Sequence, residues 1–78
     1  MAKYFFTFGS DERFPYGRED YVMVYAENAH IAALKFKNVH PNRPGSPFLN
    51  CADIYSEENF NSFRDKYYLG VKPREIIR

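Results

Sequence analysis

The chain opens on a run of aromatic and β-branched positions. Across residues 3–8, Lys-Tyr-Phe-Phe-Thr-Phe, every side chain after the lysine is aromatic or β-branched, and Tyr4, Phe6 and Phe8 share one face of an extended chain. That pattern predicts a first strand. The stretch from Gly9 to Arg18 is rich in turn formers and predicts a long connection to a second strand over Tyr21 to Ala26, antiparallel to the first. The period then changes: Ala29, Ala32, Ala33, Phe36 and Val39 recur at three- and four-residue spacing, which predicts a helix capped by Asn28. Lys35 and Lys37 fall near its C-terminal end, where the dipole favours cations, and Pro41 disfavours helical geometry at His40.

A second loop, Asn42 to Pro47, leads to a predicted third strand from Phe48 to Tyr55. Alternation places Asn50, Ala52 and Ile54 on one of its faces and Leu49, Cys51, Asp53 and Tyr55 on the other. Ser56 is suited to cap a second helix, with Glu57 and Glu58 in the first turn, Phe60, Phe63 and Tyr67 as the buried stripe and Gly70 as the stop. Val71 to Ile77 can add a short fourth strand, which Pro73 restricts to an edge. The order β-β-α-β-α(-β) predicts one α+β domain over residues 1–78. A helix between strands two and three makes them parallel, so strand one fits between them with antiparallel neighbours. The expected architecture is a small three-stranded antiparallel sheet, order 2-1-3, with two helices, the first packed on one face.

At 78 residues the core must be used efficiently, because a domain this small buries only about 60% of its unfolded surface. Eight Phe and seven Tyr meet that need and exceed it. Several Tyr are therefore expected at the surface or in a subunit contact, the latter implying a homo-oligomer. The single Cys51 excludes an intramolecular disulfide and favours a reducing, cytosolic setting. No apolar run approaches the roughly 20 residues needed to span a bilayer, so no membrane partner is expected. Eleven Lys and Arg against ten Asp and Glu leave a net charge of +1, too little to draw a polyanion. Nucleic acid is correspondingly disfavoured, and only Arg13 with Arg18, or Lys72 with Arg74 and Arg78, would form a local basic patch.

Cys51 with His40 would pair a thiol with an imidazole base, but a lone Cys in an apolar strand ordinarily packs in the core, and no oxyanion-hole motif accompanies it. No catalytic residue is therefore assigned. His30, His40, Cys51 and the acids show no metal-ligand spacing, and no cofactor or metal is expected. The aromatic face of strand one could stack bases, although much of it is needed inside. Gly9-Ser10 after a strand resembles a phosphate loop only weakly, since no helix follows. Ser10, Arg13 and Tyr16 nevertheless join hydroxyl, guanidinium and ring in one loop. The stiff segment Arg43-Pro44-Gly45-Ser46-Pro47 reads equally as connector or as recognition loop, and Asn50 and Asp53 as polar groups tying it down. Since strand one is antiparallel to strand three, both loops should meet at one end of the sheet. That would gather Ser10, Arg13, Tyr16, Arg43, Ser46 and Asn50 into one site for an anionic or planar ligand.

Three segments, Tyr4-Phe5-Phe6-Thr7-Phe8-Gly9-Ser10, His40-Pro41-Asn42-Arg43-Pro44-Gly45-Ser46-Pro47 and Leu49-Asn50-Cys51-Ala52-Asp53-Ile54-Tyr55-Ser56-Glu57-Glu58, resemble a family of short uncharacterised proteins from bacteriophages and mobile elements of Gram-positive bacteria. The similarity covers most of residues 3–60 and weakens over the tail. It implies a phage-type accessory protein that acts stoichiometrically in the host cytosol. Such a protein would bind a host defence protein or sequester a small nucleotide-like ligand, a nucleotide-derived immune signal. The rivals are a small enzyme acting on a nucleotide or peptide through Cys51 and His40, and a single-stranded nucleic-acid-binding module.

Overall fold

Two neighbouring residues of the first strand carry the two halves of the core. The computed structural model describes residues 1–78 and orders them as β1 (Ala2–Thr7), β2 (Tyr21–Ala26), α1 (Ala29–Val39), β3 (Asp53–Ser56), α2 (Glu57–Tyr67) and β4 (Glu75–Ile77). Successive strand side chains point to opposite faces, so Phe5 and Phe6 look in opposite directions. Phe6 stacks on Phe36 of α1 with centroids 4.4 Å apart, and Phe5 stacks on Phe60 of α2 at 4.3 Å. The sheet is thus covered by one helix on each face.

The sheet order is β3-β1-β2-β4. β1 pairs antiparallel with both neighbours, Phe6 opposite Val22 on one side and Ile54 on the other. The 2-1-3 arrangement expected from the sequence is present, and the fourth strand lies outside β2. It runs parallel to β2, with Met23 opposite Ile76, so the sheet is mixed. Pro73 and the preceding residues remain irregular, because proline supplies no ladder donor.

On the α1 face, Phe6, Phe8, Val22, Val24, Ala26, Ala32 and Phe36 form one buried cluster. Asn28 caps α1 by accepting from the Ile31 amide at 2.9 Å, and the His40 amide closes the other end on the Phe36 carbonyl. Val39, expected in the buried stripe, is exposed. Three residues advance about 300° around a helix, which sets Val39 on the flank of the Phe36 row. The opposite cluster joins Phe5, Tyr21, Met23, Phe60 and Tyr68. Ser56 caps α2 through the Asn59 amide, Glu57 and Glu58 face the positive dipole end, and Arg64 and Lys66 the negative end. Tyr68, just past α2, is buried in place of the expected Tyr67, which is 63% exposed.

The third strand is shorter than its apolar pattern suggested, beginning at Asp53 rather than Phe48. The Ala52 amide donates to the Thr7 carbonyl at 2.8 Å, although Thr7 is already opposite Asp53. Two successive residues thus answer one of β1, the pattern of a β-bulge. The bulge shifts the side-chain parity. Leu49 and Cys51 pack on the α1 side, the face on which Ile54 lies opposite Phe6, while Tyr55 joins the α2 side. Upstream, Pro47 has no donor and the Phe48 amide is taken by Ser46 Oγ at 3.2 Å, so no ladder can form there.

Candidate functional site

The two loops predicted to meet do meet, and a carboxylate joins them. Asp11 Oδ2 accepts from Arg43 at 3.0 Å, while Arg13 reaches the same carboxylate with its backbone amide at 2.9 Å and its guanidinium at 3.1–3.2 Å. These bonds, those of Arg13 foremost, hold the Asp11 carboxyl well below the usual carboxylate range, and Asp11 in turn raises the Arg13 guanidinium. Arg43 also lies over the Phe14 ring, 5.4 Å from its centroid. Of the six residues assigned from the sequence, Arg13 and Arg43 are therefore brought together around a residue that sequence reasoning passed over. Its only local signal was an Asp two residues before an Arg in a turn-rich loop.

The other four residues face elsewhere. Ser46 turns into its own loop, where Pro44 and Gly45 at φ 79° occupy the middle of a turn closed by the Ser46 amide on the Arg43 carbonyl at 2.9 Å. Asn50 Oδ1 is buried without a partner in the chain. Ser10 and Tyr16 line a polar depression of about 550 Å3 together with Asp11, Arg18, Asp20 and Arg74. The Tyr16 hydroxyl is 3.4 Å from Glu75 Oε1, which His40 Nε2 meets at 2.6 Å, and Arg74 covers the Tyr16 ring. Burial, followed by the Glu75 charge, pushes the Tyr16 phenol up.

His40 is thus engaged with Glu75 and edge-on to Tyr16, between α1 and β4. Cys51 sits in a different environment. Burial, with Asp53 as a second cause, pushes its thiol up to about 11, which leaves it protonated at neutral pH.

An aromatic groove opens on the α2 face where β1 ends. It encloses about 860 Å3 and is lined by Thr7, Phe8, Tyr55, Phe63, Tyr67 and Tyr68, with Arg18 and Glu19 at its rim. Tyr67 keeps the angular position of Phe60, seven residues earlier, but overhangs the groove instead of the sheet. The rings meet edge to face, Tyr55 on Phe63 at 4.8 Å and Phe63 on Tyr67 at 6.0 Å. Burial foremost, with Asp53 as a further cause, pushes the Tyr55 and Tyr68 phenols up, and the Tyr68 hydroxyl donates to the Arg18 carbonyl at 3.5 Å. Arg18 takes part in none of the four ion pairs of the chain. The surplus of tyrosine was the sequence signal for such a surface, but the Phe63–Tyr67 spacing reads as core until the end of the sheet beneath it is known. No protein-family model, curated protein or solved structure matches the chain.

Proposed function

We propose that the chain is a small binding protein that acts stoichiometrically and holds a planar, anionic ligand of the nucleotide kind in the aromatic groove. The observation that carries this reading is the groove itself: four rings, Tyr55, Phe63, Tyr67 and Tyr68, beside the unpaired guanidinium of Arg18. Its volume of about 860 Å3 falls within the range of small-molecule sites. A ring face can stack on a planar group, the exposed Tyr67 hydroxyl can donate to its edge, and Arg18 suits a phosphate. The loop junction fits such a ligand less well, because Arg13 and Arg43 already share Asp11. The resemblance to short phage-encoded proteins would make the ligand a nucleotide-derived immune signal that the protein sequesters in the host cytosol.

A binding role is also favoured over catalysis by the protonated Cys51 thiol, whose charged neighbour is Asp53 and not an imidazole. Isothermal titration against mono-, di- and cyclic nucleotides tests the reading. Saturation at one ligand per chain is expected, with Tyr67→Ala weakening binding at least tenfold while the melting temperature stays within experimental error. Turnover of a nucleotide to product, or binding undisturbed by Tyr67→Ala, would overturn it. Capture of a host protein with no nucleotide bound would move the assignment to a protein partner.

A further inference from the structure

Arg18 lines two depressions at once. On one side lies the aromatic groove, and on the other the polar depression of about 550 Å3 whose walls include Ser10, Tyr16, Asp20 and Arg74. No other residue belongs to both. The Tyr68 hydroxyl, donating to the Arg18 carbonyl at 3.5 Å, ties this residue to the groove side. Neither Arg18 nor Arg74 takes part in any of the four ion pairs of the chain. The carboxylates of the polar depression are partly spoken for: Asp11 is shared by Arg13 and Arg43, and Asp20 Oδ2 accepts the Gly17 amide at 3.2 Å. Glu12 and the second Asp20 oxygen are left as acceptors. Arg74 lies over the Tyr16 ring, 5.4 Å from its centroid, and is itself exposed, so its guanidinium is backed by a ring on one side and open on the other. Such a plane stacks on nucleobases, and the N–H donors of a base edge suit the remaining carboxylate oxygens.

We infer that the ligand spans both depressions and is a dinucleotide, with one base in the aromatic groove, the linking phosphodiester at Arg18 and the second base on Arg74. The inference rests on the reading that the aromatic groove stacks a base. A single phosphate would leave most of the polar depression empty, because its volume of about 550 Å3 is already that of a small-molecule site. It has room for a whole nucleoside. A phosphodiester carries a single negative charge, which the one guanidinium shared by the two depressions matches. Joining the bases through that group makes the second contact intramolecular, so a modest interaction at Arg74 adds strongly to the first.

Isothermal titration of the 78-residue protein with the dinucleoside monophosphates ApA, GpG, CpC and UpU, each beside its mononucleotide, tests the inference. At least one dinucleotide should saturate at one per chain and bind at least about tenfold more tightly than its mononucleotide. Arg74→Ala should remove that advantage while mononucleotide affinity stays within about twofold of wild type, and circular dichroism checks that this exposed-residue variant keeps its fold. Tyr67→Ala, in contrast, should weaken both kinds of ligand. Equal affinity for mononucleotide and dinucleotide, or a dinucleotide advantage that survives Arg74→Ala, would overturn the inference and leave the reading of the aromatic groove standing. Absence of binding by every one of these ligands would remove that reading, and the inference with it.

Discussion

The two faces of the sheet share one device and differ in everything around it. Each has a β1 phenylalanine stacked on a helix phenylalanine, Phe6 on Phe36 and Phe5 on Phe60. Around Phe36 the cluster combines the Phe8 ring with Val22, Val24, Ala26 and Ala32, small side chains that seat α1 closely against the sheet. Around Phe60 they are Tyr21, Met23 and Tyr68, and the Tyr21 hydroxyl donates to the Val71 carbonyl at 2.8 Å while accepting from Arg64 at 3.0 Å. Rings without hydroxyls and small aliphatic side chains close one face. Hydroxylated rings leave the other with polar tips, a groove and an exposed Tyr67. In a chain this small, the face that needs polar groups to complete its packing is also the one with surface to spare for a ligand.

The largest test of that contrast is cavity formation. Phe36→Ala should cost about 3–5 kcal/mol in urea denaturation, and Phe60→Ala about 3 kcal/mol, because the groove beside Phe60 gives α2 room to collapse. The reverse order would mean that the α2 face is the rigid one. Next in size, Tyr21→Phe should cost about 1–2 kcal/mol, since it leaves the Val71 carbonyl and the Arg64 guanidinium without their hydroxyl partner. An unchanged free energy would show that those bonds only replace equivalent ones to water.

The smallest effect belongs to Cys51, which packs against the α1 side. Cys51→Ala should cost about 1 kcal/mol at neutral pH and leave any binding activity intact. The thiol is raised in the folded state, so its contribution is complete below the unfolded thiol value and is lost as pH climbs through about 11. Wild type should therefore lose stability more steeply than Cys51→Ala across the alkaline range. Parallel curves would show that the thiol is as well hydrated in the fold as outside it.

Local patterns made much of the fold legible. The aromatic and β-branched runs of β1 and β2, the Asn28 and Ser56 caps and the stop at Pro41 each rest on features within a few residues, and the strand order follows from connection geometry. What escaped depends on distant partners. The bulge at Ala52 exists because Thr7 offers its carbonyl, and the direction of β4 because Tyr21 accepts the Arg74 amide at 2.8 Å. The loop meeting of the candidate site was legible for the same topological reason. Its electrostatics were not, since only the folded chain puts Arg43 within 3.0 Å of Asp11, 32 positions away.

The central place of β1 has a consequence for how the molecule is made. Of the four strands, the one synthesised before the others is the one that ends with neighbours on both sides, β2 at Tyr21–Ala26 and β3 at Asp53–Ser56. Until those later segments emerge, Phe5 and Phe6 have no helix to cover them, and both edges of β1 stand open to any passing strand. Its pairing with β3 closes a loop of about fifty residues, the kind of non-local contact that slows folding. The nascent chain therefore leaves this aromatic strand without its second neighbour until β3 has been made, and that interval is when the segment is most prone to aggregate.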